Sequence, residues 1–149
     1  MTKILFVCHG NICRSPMAEF VFKDMARRAG RAAAFQADSA ATSREELGND
    51  MYPPAKAVLR AHGIPFSPRQ ARQVAPRDYD RYDWLILMDE NSRRNLRRIF
   101  PDDPDDKVRA LLSFAGSGAA IADPWYTGDF ETAYRDIARG CAALLNALP

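Results

Sequence analysis

The sequence has little of what marks a secreted, membrane-bound or nucleic-acid-binding protein. Its three cysteines are an odd number, which does not suit a secreted disulfide framework. The apolar run at residues 4–8 is too short for a signal peptide or a membrane span. The formal net charge is only +2, and the arginines at 93–98 are offset by aspartates at 102–106, so no basic face for nucleic acid is indicated. We therefore expect a cytoplasmic protein with neither nucleic-acid nor membrane partners.

Histidine is also scarce, and its two positions are far apart. His9 and His62 form no cluster with the spacing of metal ligands, so we expect no metal and no cofactor. Internal repeats, low-complexity tracts and linkers are absent. At 149 residues and 47% hydrophobic composition, the chain can bury a proper core, and we expect residues 1–149 to form a single domain.

Short apolar segments alternate with segments of helical periodicity along the whole chain. The pattern predicts strands at 4–7, 34–40, 84–88 and 108–112, and helices at 17–29, 54–62, 91–99 and 130–145. Such alternation predicts an α/β fold with a doubly wound parallel sheet and helices on both faces. The segment 84–88 has no polar alternation, which is typical of a central strand buried on both sides. Ligands bind such sheets beyond the carboxyl ends of the strands.

A thiol and an arginine stand at the end of the first predicted strand, where residues 8–15 read CHGNICRS. Cys8 with Arg14 six positions later is a weak motif by itself, but here it lies between a strand and a helix start. Gly10 allows a tight turn, and the amides of such a loop converge on one point and favour an anion. Arg14 can give two donors to phosphate oxygens, and these surroundings favour the thiolate of Cys8. The pattern predicts that Cys8 accepts a phosphoryl group.

Residues 7–19, VCHGNICRSPMAE, resemble the signature of the low-molecular-weight protein tyrosine phosphatases, in their bacterial type. Segments 38–43, 71–73, 88–90 and 123–126 resemble the family's other landmarks in the same order, so the resemblance spans nearly the whole chain. It implies a four-stranded, Rossmann- or flavodoxin-like sheet. It also implies hydrolysis of phosphotyrosine through a cysteinyl-phosphate intermediate. The expected substrates are phosphotyrosine proteins or small aryl phosphates, and the expected assembly is a monomer or weak dimer.

The same resemblance assigns roles that the spacing of residues alone does not give. Asp123 becomes the general acid that protonates the leaving phenolate; without the family match, an Asp-Pro pair is more often a turn. Pro124 keeps Asp123 out of the helical region. Ser15 becomes the hydrogen-bond partner of the thiolate, where a polar residue at a helix start is the plainer interpretation. Asn11 becomes the residue that braces the loop.

The predicted site combines the loop with an aromatic wall. The expected catalytic residues are Cys8, Arg14 and Asp123, and the expected substrate-binding residues are His9, Gly10, Asn11, Ile12, Cys13, Ser15, Trp125 and Tyr126. Trp125 and Tyr126 would line a slot for an aryl phosphate, although core aromatics are the alternative. His9 is expected at the rim of the pocket rather than as a base.

Cys13 has two interpretations that the sequence leaves open. It is either a small loop residue facing the core or, as the resemblance favours, a thiol that traps oxidised Cys8 as a disulfide. Two departures from the family concern substrate preference rather than catalysis. Arg69 stands where many members carry a histidine, in a network that braces the loop asparagine, and residues 44–51 lack the aromatic that often flanks the slot.

Three other functions fit the same loop. An arsenate reductase needs further accessible thiols, and the only one beyond the loop, Cys141, lies in an apolar helical stripe. A protein-arginine phosphatase resembles this sequence but typically carries threonine where Ile12 stands. A catalytically idle phosphopeptide-binding module is the third, and the complete set of Cys8, Arg14 and Asp123 argues against it.

Overall fold

A computed structural model describes residues 1–149 and contains one four-stranded parallel sheet. The strands are β1 (Thr2–Cys8), β2 (Phe35–Ala41), β3 (Trp84–Leu87) and β4 (Val108–Ala110). Their order across the sheet is β2-β1-β3-β4, with every neighbouring pair parallel. The predicted doubly wound sheet is confirmed, and so is the central position of the strand that begins at Trp84.

Six α-helices connect and cover the strands. They are α1 (Arg14–Arg28), α2 (Pro53–Ala61), α3 (Asp78–Arg81), α4 (Glu90–Leu96), α5 (Pro124–Thr127) and α6 (Phe130–Ala147). Two 3-10 helices cover Ala32–Ala34 and Leu111–Ala115. The fourth strand is shorter than predicted, because the chain enters the second 3-10 helix at Leu111. Helix α1 begins earlier than predicted, with Pro16 in its first turn, where a missing N–H breaks no helical bond.

The two faces of the sheet are buried in separate cores. Ile4, Phe6 and Cys8 of β1 lie in a core of 27 buried residues that also includes side chains from α1, α2 and α6. Leu5 and Val7 point to the other face, into a core of nine residues. Alternate residues of a strand point to opposite faces, so a strand covered on both sides reads as one apolar run. Cys8 therefore lies on the α1 side.

Helix α6 packs closely on the second 3-10 helix. A Cβ atom built on Gly140 would lie 2.5 Å from Cγ of Leu111, which is fully buried. The absence of a side chain at Gly140 thus permits this approach. None of the six helices has the length and apolar composition needed to cross a bilayer.

The chain reverses its winding direction between β1 and β3, the two central strands. Cys8 is the last residue of β1, and Asp89 follows shortly after the end of β3. At such a reversal the loops leave the carboxyl edge in opposite directions and open a crevice for a ligand. The loop of residues 8–15 begins at this crevice.

Candidate active site

The thiol of Cys8 lies at the floor of the loop of residues 8–15 and is nearly buried, with 3% of the residue exposed. The backbone N–H of Asn11 points inward and donates to Cys8 Sγ over 3.3 Å. Asn11 adopts a left-handed conformation with φ of 59°, which asparagine tolerates better than most residues. The loop therefore curls around the sulfur with an amide aimed at it.

A directed chain of hydrogen bonds leads from Asn11 through Ser15 to the thiol. Asn11 Nδ2 donates to Ser15 Oγ over 2.8 Å, and Ser15 Oγ lies 3.0 Å from Cys8 Sγ. An amide nitrogen has only protons to give, so Ser15 Oγ accepts on that side. The hydroxyl proton of Ser15 is then free to point at the sulfur, where it stabilises the thiolate.

The orientation of the Asn11 amide is set by two donors on its other side. Arg69 Nη2 donates to Asn11 Oδ1, and the backbone N–H of Arg72 donates to the same oxygen over 3.2 Å. Because both partners can only donate, the oxygen must face them and the NH2 group must face Ser15. Arg69 therefore contacts the loop asparagine from the position that the family resemblance gave to a bracing histidine.

Arg14 extends from the start of α1 and is held between two carboxylates. Its Nη1 donates to Asp89 Oδ2 over 2.7 Å and to the carbonyl of Ile121 over 2.8 Å, while Nη2 lies 3.5 Å from Asp123 Oδ2. Only 3% of the Arg14 side chain is exposed. Burial lowers the pKa of Arg14, but the charges of Cys8 and Asp89 outweigh it and raise the pKa. Arg14 is thus a permanently charged, oriented cation beside the thiol.

Asp89 is a site residue for which the sequence analysis gave no role. It caps the N-terminus of α4, where its Oδ1 accepts from the N–H of Ser92 over 2.8 Å. Burial raises the pKa of Asp89, but Arg14 and the Ser92 hydrogen bonds lower it below its usual value. A signal for it existed in the sequence, because an aspartate between a buried strand and a helix start lies at the same edge as Cys8.

Asp123 precedes α5 and faces the same cavity as Cys8. Its backbone is extended, and its Oδ1 accepts from the N–H of Trp125 over 3.1 Å, which caps the short helix. The other oxygen, Oδ2, lies on the side of Arg14. A carboxyl group is thereby presented to the cavity from a loop that Pro124 and the cap hold in place.

The cavity above the thiol has a volume of about 110 Å³, and its aromatic side is formed by Trp125 and Tyr126. Both aromatics are exposed rather than part of the core. Tyr52 supports the wall from behind, with its ring centroid 4.7 Å from that of Trp125. Tyr52 directly follows the segment 44–51 that lacks an aromatic, so the slot has an aromatic neighbour from this part of the chain after all.

The cavity lining also has a polar part, which includes two residues to which the sequence gave no role. Glu45 and Glu46 line the cavity together with His9 and Gly10. His9 Nε2 lies 3.0 Å from Glu45 Oε2, which places the histidine at the rim, as expected. No motif pointed to these glutamates, because their proximity to the loop depends on how residues 43–52 fold back across it.

The remaining predicted residues divide into those that line the cavity and one that does not. Ile12 and Cys13 line it and are nearly buried, whereas Ser15 is fully buried behind the thiol. Ser15 is therefore placed to act on Cys8 rather than to contact substrate. Burial, followed by the nearby charge of Cys8, raises the pKa of the Cys13 thiol to about 12. Cys8 and Cys13 are both free cysteines in this structure.

The sequence comparisons with known proteins all match one family. The model of the family described as "Low molecular weight phosphotyrosine protein phosphatase" matches residues 3–149. The low molecular weight protein-tyrosine-phosphatase YfkJ of Bacillus subtilis is 38% identical over 150 residues, covering 99% of this chain and 96% of that protein. The human low molecular weight phosphotyrosine protein phosphatase is 38% identical over 149 residues, covering 95% of this chain and 92% of that protein.

Solved structures agree with the sequence comparisons. The crystal structure of YfkJ superposes with a TM-score of 0.94 at 39% identity, covering 99% of this chain and 94% of that one. The low molecular weight protein tyrosine phosphatase of Streptococcus pyogenes superposes with a TM-score of 0.90 at 33% identity, covering 100% of this chain and 94% of that one. Cys8, Arg14 and Asp123 line one cavity, which agrees with these matches, and the chain belongs to the low molecular weight phosphotyrosine protein phosphatase family.

Proposed function

We propose that this protein hydrolyses phosphotyrosine monoesters through a cysteinyl-phosphate intermediate. The observation that carries the proposal is the convergence of three groups on one cavity. The thiol of Cys8 forms its floor, the guanidinium of Arg14 lies beside it, and the carboxyl of Asp123 faces it from the mouth. A nucleophile, an oxyanion clamp and a proton donor are the parts that phosphoryl transfer from an aryl ester requires.

In the first step the Cys8 thiolate attacks phosphorus, and the bond from phosphorus to the tyrosine oxygen breaks. The amides of the loop and the Nε and Nη2 groups of Arg14 hold the three phosphoryl oxygens as charge spreads over them, because Nη1 already donates to Asp89 and to the Ile121 carbonyl. Asp123 enters this step protonated, which the nearby phosphate dianion favours, and gives its proton to the departing phenolate. Tyrosine leaves with that proton, and the phosphoryl group stays on sulfur.

In the second step a water molecule attacks the phosphorus of the cysteinyl phosphate. Asp123, now a carboxylate, accepts the proton of the water, and the bond from phosphorus to sulfur breaks. The Ser15 hydroxyl, 3.0 Å from the sulfur, stabilises the thiolate as it departs. Inorganic phosphate is released, and both Cys8 and Asp123 return to their starting states.

The walls of the cavity favour an aryl substrate over a guanidino phosphate. Ile12 presents an apolar side chain to the cavity, and Trp125 and Tyr126 stand on its aromatic side. A phosphorylated arginine would bring extra N–H donors that Ile12 cannot accept, which disfavours it because unpaired polar groups are penalised. Arsenate reduction is disfavoured on other grounds, because Cys141, the one cysteine outside the loop, is fully buried against α1 and cannot carry oxidation away from the loop cysteines.

The decisive assay compares peptides that carry phosphotyrosine, phosphoarginine or phosphoserine in the presence of a chelator, with arsenate reduction as a further arm. We expect hydrolysis of the phosphotyrosine peptide to exceed the others by at least about 10²-fold in kcat/KM. The Cys8→Ser variant should lose turnover and still bind a phosphate analogue, because the loop survives. If Cys8→Ser kept one tenth or more of the wild-type rate, the covalent mechanism would be refuted. If the enzyme preferred the phosphoarginine peptide, the proposed substrate class would be refuted.

A further inference from the structure

The start of helix α2 lacks the side-chain cap that is usual at a helix N-terminus. Tyr52 occupies the N-cap position, where serine, threonine, aspartate and asparagine are favoured, and its side chain makes no capping bond. Pro53 and Pro54, the next two residues, have no N–H to satisfy. The N–H groups of Ala55 and Lys56 donate to the carbonyl of Tyr52 over 2.9 Å and 3.2 Å. The helix start therefore needs no side-chain cap, and the ring of Tyr52 is free for another role.

The backbone of Tyr52 is tied to the loop that carries the nucleophile. Its N–H donates to the carbonyl of Ile12 over 2.9 Å. The Tyr52 side chain also packs against a small cluster of buried side chains, which consists of Ile12, Cys13 and Ala71. Two of these three residues belong to the loop. The position of Tyr52 is thus fixed relative to the loop that begins at Cys8.

The ring of Tyr52 contacts the segment that follows Asp123. Its centroid lies 4.7 Å from that of Trp125 and 6.0 Å from that of Phe130, separations at which aromatic pairs attract one another. Helix α5 has little other packing, since Pro124 is its only buried residue. The contact with Tyr52 is therefore what holds the side chain of Trp125 in place.

The position of Trp125 in turn affects the carboxyl group of Asp123. The N–H of Trp125 donates to Asp123 Oδ1 over 3.1 Å. On the other side of Asp123, the N–H of Ile121 donates to the carbonyl of Met88 over 3.0 Å. The segment that carries Asp123 is thus held by two attachments. One lies just beyond the end of β3, and the other runs through Trp125 to Tyr52.

We propose that Tyr52 is a positioning residue that holds the general acid Asp123 in place relative to the loop of the nucleophile. Its backbone is bonded to the loop, and its ring holds Trp125, whose N–H orients the carboxyl group. Proton transfer requires the acid to lie within hydrogen-bond reach of the leaving oxygen, so a small displacement of Asp123 slows the reaction. This inference rests on the proposed function in taking Asp123 as the proton donor.

Substitution can separate the ring of Tyr52 from its backbone contact. Tyr52→Leu removes the ring and keeps the N–H that bonds to Ile12, whereas Tyr52→Phe keeps both. Tyr134→Leu is the matched control, because Tyr134 is also half-buried and its ring stacks on that of His62 with the centroids 3.9 Å apart. Neither Tyr134 nor His62 lines the cavity. Both leucine variants lose one aromatic contact, and thermal unfolding measures what each loss costs in stability.

The first measurement is kcat/KM for a series of aryl phosphates whose phenols differ in acidity. We expect Tyr52→Leu to lower kcat/KM by about 10-fold for weakly acidic phenols and by less than about twofold for acidic ones, because only the former need the proton. Tyr52→Phe should recover most of the loss, and Tyr134→Leu should show no dependence on the leaving group. In the Asp123→Asn background, Tyr52→Leu should add less than about twofold, since no acid remains to be positioned.

The second measurement follows the contact between Tyr52 and Trp125 directly. Trp84 and Trp125 are the only two tryptophans, so Trp84→Phe leaves Trp125 as the single source of tryptophan fluorescence. In that background, Tyr52→Leu should lower the fluorescence anisotropy of Trp125, because the ring that restrains its side chain is lost. Tyr52→Phe and Tyr134→Leu should leave the anisotropy unchanged.

A uniform loss across the leaving-group series in Tyr52→Leu would overturn the proposal, and so would an undiminished loss in the Asp123→Asn background. Unchanged anisotropy of Trp125 would also overturn it. Should Tyr52→Leu not fold, Tyr52→Asn provides the test with the same expected results, because asparagine is a favoured N-cap and supports the start of α2.

Failure of the proposed function would give a different result from failure of this inference. If the wild type hydrolyses no aryl phosphate, or if Asp123→Asn shows no dependence on the leaving group, the proposed function is wrong and Tyr52 has no acid to position. If Asp123→Asn shows that dependence and Tyr52→Leu does not, only the role of Tyr52 is refuted.

Discussion

Arg14 Nη1 lies 2.7 Å from Asp89 Oδ2, in an ion pair that joins the start of α1 to the start of α4 across the crevice. The two side chains reach the site from different strands of the sheet, β1 and β3. Asp89 also accepts from the N–H of Ser92, so its carboxylate cannot rotate away without giving up a helix cap. The orientation of the Arg14 guanidinium is therefore set by Asp89, which lies outside the loop that carries Arg14.

Replacing Asp89 with asparagine should impair catalysis more than folding. Asparagine caps a helix about as well as aspartate, but it removes the charge that orients Arg14. We expect kcat to fall by about 10-fold to 10²-fold, the effect of a clamp displaced by a fraction of an ångström to an ångström. Steady-state kinetics and thermal unfolding would measure the two effects separately.

Asp129→Asn is the matched control, because Asp129 caps α6 by accepting from the N–H of Thr132 over 3.0 Å and takes no part in the cavity. It should leave kcat unchanged. Equal kinetic losses in Asp89→Asn and Asp129→Asn would show that helix capping, not orientation of Arg14, is what matters.

The lowered pKa of Asp89 means that its ion pair with Arg14 stabilises the native state at neutral pH. That stabilisation is lost only as the pH falls through the lowered value.

For Asp123→Asn the loss of activity should depend on the leaving group. Aryl phosphates whose phenols are weak acids need the proton and should slow by about 10²-fold or more, while those with acidic phenols should slow far less. The cap on Trp125 survives, since asparagine can accept the same bond. A series of substituted aryl phosphates measures the dependence, and a uniform loss across the series would assign Asp123 to loop structure.

Peroxide should inactivate the enzyme reversibly if Cys13 traps the oxidised Cys8 as a disulfide. We expect a thiol reductant to restore activity, bound phosphate to slow the inactivation, and Cys13→Ser to leave a larger unrecoverable fraction. Because the pKa of Cys13 is raised to about 12, its thiolate fraction should increase about tenfold per pH unit over the neutral range, and trapping should quicken accordingly. Disulfide formed after a peroxide pulse at pH 6.5 and pH 8.5 can be quantified by mass spectrometry.

Either of two results would show that Cys13 serves only in packing. One is equal recovery of activity in the wild type and in Cys13→Ser. The other is the absence of any peptide in which Cys8 and Cys13 are joined. The burial of Cys13 beside Ile12 and Ala71 is compatible with packing alone, so this experiment separates the two interpretations that the sequence left open.

Gly140→Ala should destabilise the protein, contrary to the usual effect of alanine in a helix. Alanine normally favours a helix over glycine by about 0.5–1 kcal/mol. Here the new methyl group would meet the buried side chain of Leu111, and overpacking of this kind typically lowers the free energy of unfolding by about 1–3 kcal/mol. Denaturant unfolding measures the change, and Gly140→Ala combined with Leu111→Ala should be less destabilised than the sum of the two single variants. Additive effects would indicate that the two residues are not in conflict.

The sequence predicted most of the fold because the strands are buried on both sides and the helices on one. Residues 4–7 and 84–88 are continuous apolar runs, and α6 carries a clear apolar stripe, so these elements were recognisable locally. The short helices α3 and α5 were not predicted, and the fourth strand ends earlier than predicted. Its pairing with β3 ends after Ala110, and nothing in the local sequence announces the 3-10 helix that follows.

The site was predictable where its residues are contiguous and obscure where they are not. The loop of residues 8–15 could be interpreted from its own sequence, whereas the proximity of Asp123 to Cys8 came only from the family resemblance. Chain packing over long sequence separations brings Glu45 to the cavity and Asp89 to Arg14, and no spacing rule connects either residue to Cys8. The link between Arg69 and Asn11 also came only from the resemblance, because their contact depends on the backbone pairing of residues 48 and 49 with residue 71.

The side chains of β1 alternate between two cores, and this alternation limits which insertions and deletions the strand can accept. Cys8 faces the α1 side because it is two residues from Phe6 and four from Ile4. Deleting or inserting one residue within β1 would turn either the apolar residues or the thiol to the wrong face, while a change of two would keep both. Insertions or deletions in β1 are thus tolerated only when they comprise an even number of residues. An odd number would turn the thiol of Cys8 away from the cavity, although every residue of the site would be unchanged.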